Sequence, residues 1–172
     1  FSYIKPALPL YWHAFWLLLT PEHLGVLAGK AGFLATMLAA SWCAAAYLGR
    51  IFRLDSLGVP LPLLATCGFV WGVHSFPHMP WHTADGVLFA GGALLAGVSG
   101  WPLVAGLLAG CAMLCKQSFL LVPPAVAALV WLERASGRQA LRCIAGWLGT
   151  LAAAWLFLRA GGALEAFSRM TT

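Results

Sequence analysis

The stretch LGVLAGKAGFLATMLAASWCAAAYLGRIFR, residues 24–53, decides the fold class of this chain. Lys30 is its only charged residue before Arg50. A transmembrane helix needs about 20 consecutive apolar residues, with a range of roughly 17 to 25. Residues 24–49 therefore predict a membrane-spanning helix that ends at a basic loop.

The composition of the whole chain supports this interpretation. Of its 172 residues, 62% are hydrophobic and 9% are charged, whereas soluble domains carry about 25% charged residues. A soluble fold of this size would lack the polar surface that covers a core. We therefore expect an all-α protein, a polytopic transmembrane helix bundle, with further spans at 57–76, 83–99, 101–116, 118–133 and 140–161.

The segment LPLYWHAFWLLLTP, residues 8–21, differs from these spans. It is too short to cross a bilayer and is rich in Trp and Tyr, which favour the headgroup region. It predicts an interfacial amphipathic helix. We divide the chain into an extracytoplasmic loop end with this helix, 1–23, and a single membrane domain, 24–172. Because the chain begins with Phe1 and shows no signal-peptide n-region, we expect it to be an excerpt of a longer protein.

The ten Lys and Arg residues, against five Asp and Glu, indicate topology. Residues that bind nucleic acid cluster on one face, whereas these lie between apolar runs, so we expect no nucleic-acid partner. Cytoplasmic loops are enriched in Lys and Arg, which places the loops at 50–53 and 134–142 inside. The six spans alternate consistently between these loops, and Lys5, the segment 77–85 and Lys116 are then extracytoplasmic.

Asp85 is an acidic residue at the head of a span with no arginine within a few positions. One interpretation is helix capping, because Thr83 or Asp85 could cap the span and complement its dipole. The other is a functional carboxylate, because ionisable groups at membrane depth are costly and usually face a cavity or a partner. The sequence leaves both open.

His78, His82 and Asp85 have a spacing that would place them on one face of a helix, where they could bind a metal. Flanking prolines oppose a regular helix through His78, and interfacial histidines without a metal are the simpler interpretation. We therefore predict no cofactor and no metal ligands, with a divalent metal left open. Trp81 is either an anchor at the membrane surface or, with His82, part of a substrate site.

Three lysines are candidate substrate-binding residues. Lys116 joins two apolar runs, so it either snorkels to the headgroups or offers its charge to a phosphate. Lys30 lies about two turns into its span, deep enough to need a partner or a water-filled cleft. Lys5 stands at the entrance of the interfacial helix. With Asp85, these cations suit an anionic, phosphate-bearing lipid headgroup.

The order of these motifs resembles the GT-C membrane glycosyltransferases, especially the branch with the protein O-mannosyltransferases and the lipid A aminoarabinose transferases. KPALPLYWHAFWLL, residues 5–18, is similar to that family's KPPLYYW-like segment, which leads into an interfacial helix. Lys30 stands where an arginine is common. PWHTADGVLFAGGALLAG, residues 80–97, is similar to a span that opens with Asp, and GCAMLCKQSFLLVPP, residues 110–124, looks like GLAxLTKGPxxLLLP. The chain departs from the family at Ala7 and at the Gln-Ser pair 117–118.

The resemblance reaches to about Val130 and implies an integral-membrane enzyme. Such an enzyme transfers a sugar from a polyprenyl-phosphate carrier to a glycan, lipid or protein acceptor at the extracytoplasmic face. Lys5 and Lys116 would bind the carrier phosphate. Asp85 would orient the sugar or acceptor, or support a base supplied by a family motif that these residues lack. We expect activity only in the full-length protein, as a multi-pass protein of the plasma (bacterial inner) membrane surrounded by lipids.

Two other classes of function stay open from the sequence. A transporter or flippase module would use Lys30, Asp85 and Lys116 along a substrate path, although such folds often show internal repeats and none is visible here. A non-catalytic assembly subunit would use the glycine-rich segment GGALLAGVSG, residues 91–100, to pack against partner helices, because small residues permit close helix approach.

Overall fold

A computed structural model describes residues 7–76, 79 and 82–162. In these residues the only regular secondary structure is helical, which confirms the all-α prediction. The α-helices are α1 Ala7–Leu18, α2 Gly25–Ile51, α3 Leu61–Ser75, α4 His82–Val98, α5 Pro102–Cys115, α6 Val122–Arg134 and α7 Gly137–Ala160. The predicted interfacial segment forms α1, and each of the six predicted spans coincides with one of the remaining helices. Lys5, His78 and Trp81 lie outside the described residues.

The helices differ in length. Within the described residues, two helical stretches are long and apolar enough to cross a membrane: 22–51, which contains α2, and α7. Helices α3, α4 and α5 are also apolar but have 15, 17 and 14 residues. At a rise of 1.5 Å per residue, such helices are about 21–26 Å long, against a hydrocarbon core of about 30 Å. The two long helices are therefore the structural evidence for a membrane association.

Prolines and glycines fix where several helices begin and end. Helices α3, α5 and α6 carry proline in their first two positions, where the missing N–H leaves no helical hydrogen bond unmade. Between α4 and α5, Gly100 has a φ of 88°, a conformation that glycine adopts without steric cost. The chain can therefore reverse there within a few residues, and α5 packs antiparallel to α4.

Helices α4 and α5 are the central helices of the bundle: α4 packs against α2, α5 and α6, and α5 packs against α4, α6 and α7. The glycine-rich segment 91–100 lies largely in these interfaces. A Cβ on Gly91 would lie 3.5 Å from Cβ of Cys43 on α2, and one on Gly97 would lie 3.3 Å from Val130 on α6. These glycines are thus used for packing within the chain. The main core is built of small and β-branched residues, with Cys143: Ala93, Ala96, Ala105, Ala109, Val126 and Val130.

Two hydrogen bonds define one end of the bundle, which we call the arginine end. Arg50, in the last turn of α2, donates from Nη1 to Oγ of Ser99 at 2.5 Å. Arg134, at the end of α6, donates from Nη2 to the carbonyl of Val98 at 3.3 Å. Helices α2, α4 and α6 therefore finish together, and the loops at 50–53 and 134–142 share one end, as the sequence predicts. Asp85, in the first turn of α4, lies at the opposite end, which we call the Asp85 end.

Candidate functional site

Asp85 is buried and paired with a histidine from the N-terminal helix. Its residue is 2% exposed, and its Oδ2 lies 2.9 Å from Nε2 of His13 on α1. The side chain of His13 is 22% exposed, against 3% for that of Asp85. A carboxylate removed from water needs such a partner, because burying an isolated charge is very costly. The pair thus joins α1 to the centre of the bundle.

Asp85 does not occupy the N-cap position of α4. Helix α4 begins at His82, so Asp85 lies inside the first turn, whereas an N-cap residue lies before it. A negative charge in the first turn still interacts favourably with the helix dipole. The direct contact of the carboxylate, however, is with the His13 imidazole, which makes Asp85 part of a side-chain site.

Lys116 reaches the same end of α4 from the end of α5. Its Nζ donates to Oγ1 of Thr83 at 3.2 Å, and the residue is half-buried. The antiparallel packing of α4 and α5 explains this meeting, because the last residue of one helix faces the first turn of the other. Thr83, which accepts the hydrogen bond from Lys116, and the buried Asp85 are two residues apart at the start of α4.

His82 lies one residue before the predicted span 83–99 and takes part in the same local field. Burial, and then the positive charge of Lys116, lower the pKa of His82, while Asp85 acts in the opposite direction. These effects favour the neutral imidazole near pH 7. The start of α4 therefore gathers the Asp85 carboxylate, the Lys116 ammonium group and the imidazoles of His13 and His82, a set that can move protons and bind anions.

The turn after Lys116 closes one side of this group. A Cβ on Gly86 would lie 2.2 Å from the ring of Phe119, so the ring rests directly on the backbone of α4. Cys115, the residue before Lys116, is fully buried. Apolar packing thus surrounds the polar residues on the inner side and explains why Asp85 is shielded from solvent.

The other sequence-predicted residues are placed as follows. Lys30 is exposed on α2, and the structure records no hydrogen bond or ion pair between it and another described residue. The structure does not bring Lys30 to Asp85 by any recorded contact. Lys5 and Trp81 lie outside the described residues, so their roles stay predictions. Among the residues described, no group of three or more His, Cys, Asp or Glu side chains could hold a metal.

His13 is the residue that the sequence interpretation missed. It lies in the aromatic segment 8–21, where a lone histidine indicates an amphipathic side chain at the membrane surface. Its partner is 72 positions away. The sequence offered one signal. His13 is a titratable residue among aromatic residues, in the segment predicted to lie at the same membrane face as Asp85.

A separate cavity of about 190 Å³ lies at the arginine end. It is lined by the end of α2, the start of α3 and the turn between them, and Arg50 and Asp55 are its charged residues. We take the Asp85 end as the candidate site, because the buried ionisable side chain lies there and such groups mark functional positions in membrane proteins.

No protein-family model, curated protein or solved structure matches this chain. The site is therefore interpreted from its own residues and from the motif resemblance alone.

Proposed function

We propose that this chain is the membrane module of a glycosyltransferase that takes its sugar from a polyprenyl-phosphate carrier and works at the Asp85 end. The observation that carries the proposal is that the buried Asp85, paired with His13, and Lys116, bonded to Thr83, all lie at the start of α4. In the sequence these residues belong to three separate motifs, and all three motifs are those on which the family resemblance rests.

The chemistry of the transfer needs these residue types. The acceptor hydroxyl requires a base, and the departing phosphate requires positive charge to stabilise it. Lys116 is suited to the phosphate, since an ammonium group has three donors and Thr83 accepts only one hydrogen bond from it. Lys5, Trp81 and His82 join the site by the family resemblance, and Lys30 contributes a charge further along α2.

The membrane placement follows from the same arrangement. In this proposal the six helices α2–α7 form a polytopic, GT-C-like bundle in the plasma membrane, and α1 lies at its outer surface. The arginine end is cytoplasmic, because basic residues are retained on that side. The Asp85 end then faces outward, where lipid-linked sugars are available to glycan, lipid or protein acceptors.

The test is the substitution Asp85→Asn in the full-length protein. Asparagine keeps a hydrogen-bond acceptor of the same size but removes the charge, so the fold is expected to survive. We expect the rate of transfer to fall by about 10²–10⁴, the contribution of a positioned acid–base group. The measurement is release of polyprenyl phosphate in lipid nanodiscs, with a panel of polyprenyl-phosphate-linked hexoses and pentoses as donors.

Asp55→Asn is the matched control, because Asp55 is exposed at the arginine end. It is expected to behave as the wild type. Two results would refute the proposal: an Asp85→Asn protein with wild-type turnover, or a wild-type protein that releases no polyprenyl phosphate from any donor of the panel.

A further inference from the structure

The pair of His13 and Asp85 has a defined direction. An ionised carboxylate only accepts hydrogen bonds, so the 2.9 Å contact between Nε2 of His13 and Oδ2 of Asp85 places a hydrogen on Nε2. In a neutral imidazole the other ring nitrogen, Nδ1, then carries a lone pair. The structure records no hydrogen bond from Nδ1 to any other described residue. The geometry thus holds one tautomer, in which Nδ1 has no recorded partner among the described residues.

Burial divides the two roles within the pair. The Asp85 side chain is 3% exposed and has little surface for a substrate, whereas His13 is 22% exposed. His13 also comes from α1, which lies at the edge of the bundle, and Asp85 comes from one of its central helices. The carboxylate is therefore placed to fix and stabilise the imidazole, and the imidazole is the member that a substrate can reach.

From this geometry we infer that His13 is the general base of the transfer reaction, oriented by Asp85; the inference rests on the proposed function. The proton of the acceptor hydroxyl moves to Nδ1 of His13, and the hydroxyl oxygen bonds to the anomeric carbon of the donor sugar. The bond from that carbon to the phosphate oxygen breaks, and its electron pair leaves with the polyprenyl phosphate. The imidazolium that forms is stabilised by the carboxylate of Asp85, and Lys116 compensates charge on the departing phosphate.

The groups around His13 set how the reaction responds to pH. Electrostatic interactions and a hydrogen bond link Asp85 and His82 on α4 with Lys116 and Cys115 at the end of α5. Glu22 and His23 before α2, His74 in the last turn of α3 and Arg159 in the last turn of α7 lie at the same end of the bundle. A base at His13 must be neutral to accept the proton, so the rate rises with pH as the imidazole loses its proton and then reaches a plateau. If the pair only attached α1 to the bundle, the rate would not rise with pH in this way.

The experiment compares His13→Gln with the wild type in the full-length protein in nanodiscs. The glutamine amide can still donate a hydrogen bond to Asp85, but it cannot accept a proton, so attachment of α1 is retained while the base is lost. With the donor that the wild type turns over best, we expect kcat to fall by about 10²–10⁴, with little change in KM for the donor. The residual rate of His13→Gln should lack the limb in which the wild-type rate rises with pH.

His23→Gln is the control, because His23 is exposed in the turn before α2; it should match the wild type. A second measurement needs no substrate: nitrogen NMR of the histidine-labelled wild type, with the His13 signals assigned by elimination from single glutamine variants of the other four histidines. We expect the neutral ring to carry its hydrogen on Nε2, the nitrogen that faces Asp85. If His13→Gln does not fold, this NMR measurement tests the assignment of His13 as the base.

The results separate the two proposals. A fully active His13→Gln protein beside an active wild type overturns the base and leaves the proposed function standing. A neutral ring with its hydrogen on Nδ1 also overturns the base, since no lone pair is then left for the acceptor hydroxyl. A wild type that uses no donor of the panel overturns the proposed function, and the assignment of the base fails with it.

Discussion

The extended backbone at Lys116 determines what its side chain can do. The residue has φ −163° and ψ 144° between the end of α5 and the short helical turn that follows. It therefore leaves the helical path of α5, and its ammonium group meets Thr83 instead of a carbonyl of its own helix. A hydroxyl at 3.2 Å is a neutral acceptor, so the positive charge of Lys116 is not neutralised by this contact.

Replacing Lys116 by methionine tests whether that charge binds phosphate. Methionine keeps most of the apolar stem but removes the ammonium group. Hydrogen bonds to charged groups contribute about 1.5–3 kcal/mol, so affinity for polyprenyl phosphate should weaken by roughly 10- to 150-fold. The quenching of tryptophan fluorescence on titration with polyprenyl phosphate measures it. The neighbouring exposed Gln117, changed to Met, is the control; equal affinity in the two variants would mean that Lys116 only snorkels.

The sequence singles out Asp85 and Lys116 as candidate site residues, but it does not single out His13. The first two are polar residues at the junctions of apolar runs, where the cost of burying a charge makes any charged residue informative. His13 gains its importance from a contact 72 positions away, which depends on how α1 docks against α4. No local pattern in the segment 8–21 encodes that docking.

Glycines on both helices allow α5 and α7 to approach each other closely. A Cβ on Gly106 would lie 1.8 Å from the carbonyl oxygen of Cys143, and one on Gly146 would lie 2.3 Å from that of Leu103. Each obstructing atom belongs to the backbone, which cannot rotate away as a side chain can. Even one methyl group at either position must therefore separate the two helices.

The substitution Gly106→Ala is expected to destabilise the protein. Overpacking of a well-packed contact costs typically about 1–3 kcal/mol, more than the gain of up to about 1 kcal/mol from the better helix propensity of alanine. Gly149→Ala, on the same pair of helices but with nothing within 4 Å of its added Cβ, should be neutral or slightly stabilising. Thermal unfolding in detergent compares the two variants. Equal melting temperatures for Gly106→Ala and Gly149→Ala would contradict the packing described here.

The helices themselves were predictable, but the residues through which they touch were not. Long apolar runs predicted each of the helices α2 to α7 within a few residues. In the sequence, however, Gly106 and Gly149 look alike, since each stands among apolar residues. Only the crossing of α5 over α7 distinguishes them, and that crossing depends on the shape of both surfaces together.

At the scale of the whole molecule, alternation of helix direction sorts the charges. Arg50 and Arg134 both bind the end of α4, and Lys116 and His13 both lie at its beginning. The arginines satisfy groups at the carboxyl end of the helix, where positive charge is favoured by the dipole. The same arrangement puts five arginines at the arginine end, Arg50, Arg53, Arg134, Arg138 and Arg142, and in the proposed function this end is cytoplasmic.

This orientation predicts which loops a membrane-impermeant reagent can reach. In a variant without its native cysteines, Met79→Cys should be labelled by a charged maleimide added to intact cells, because Met79 is half exposed beside the Asp85 end. Gly137→Cys, exposed at the start of α7, should be labelled only after permeabilisation, because its loop carries the arginines that are held inside. Permeabilised cells must label both positions, which shows that both thiols are accessible. If intact cells labelled Gly137→Cys and spared Met79→Cys, the Asp85 end would face the cytoplasm, and a lipid-linked sugar presented outside could not reach His13.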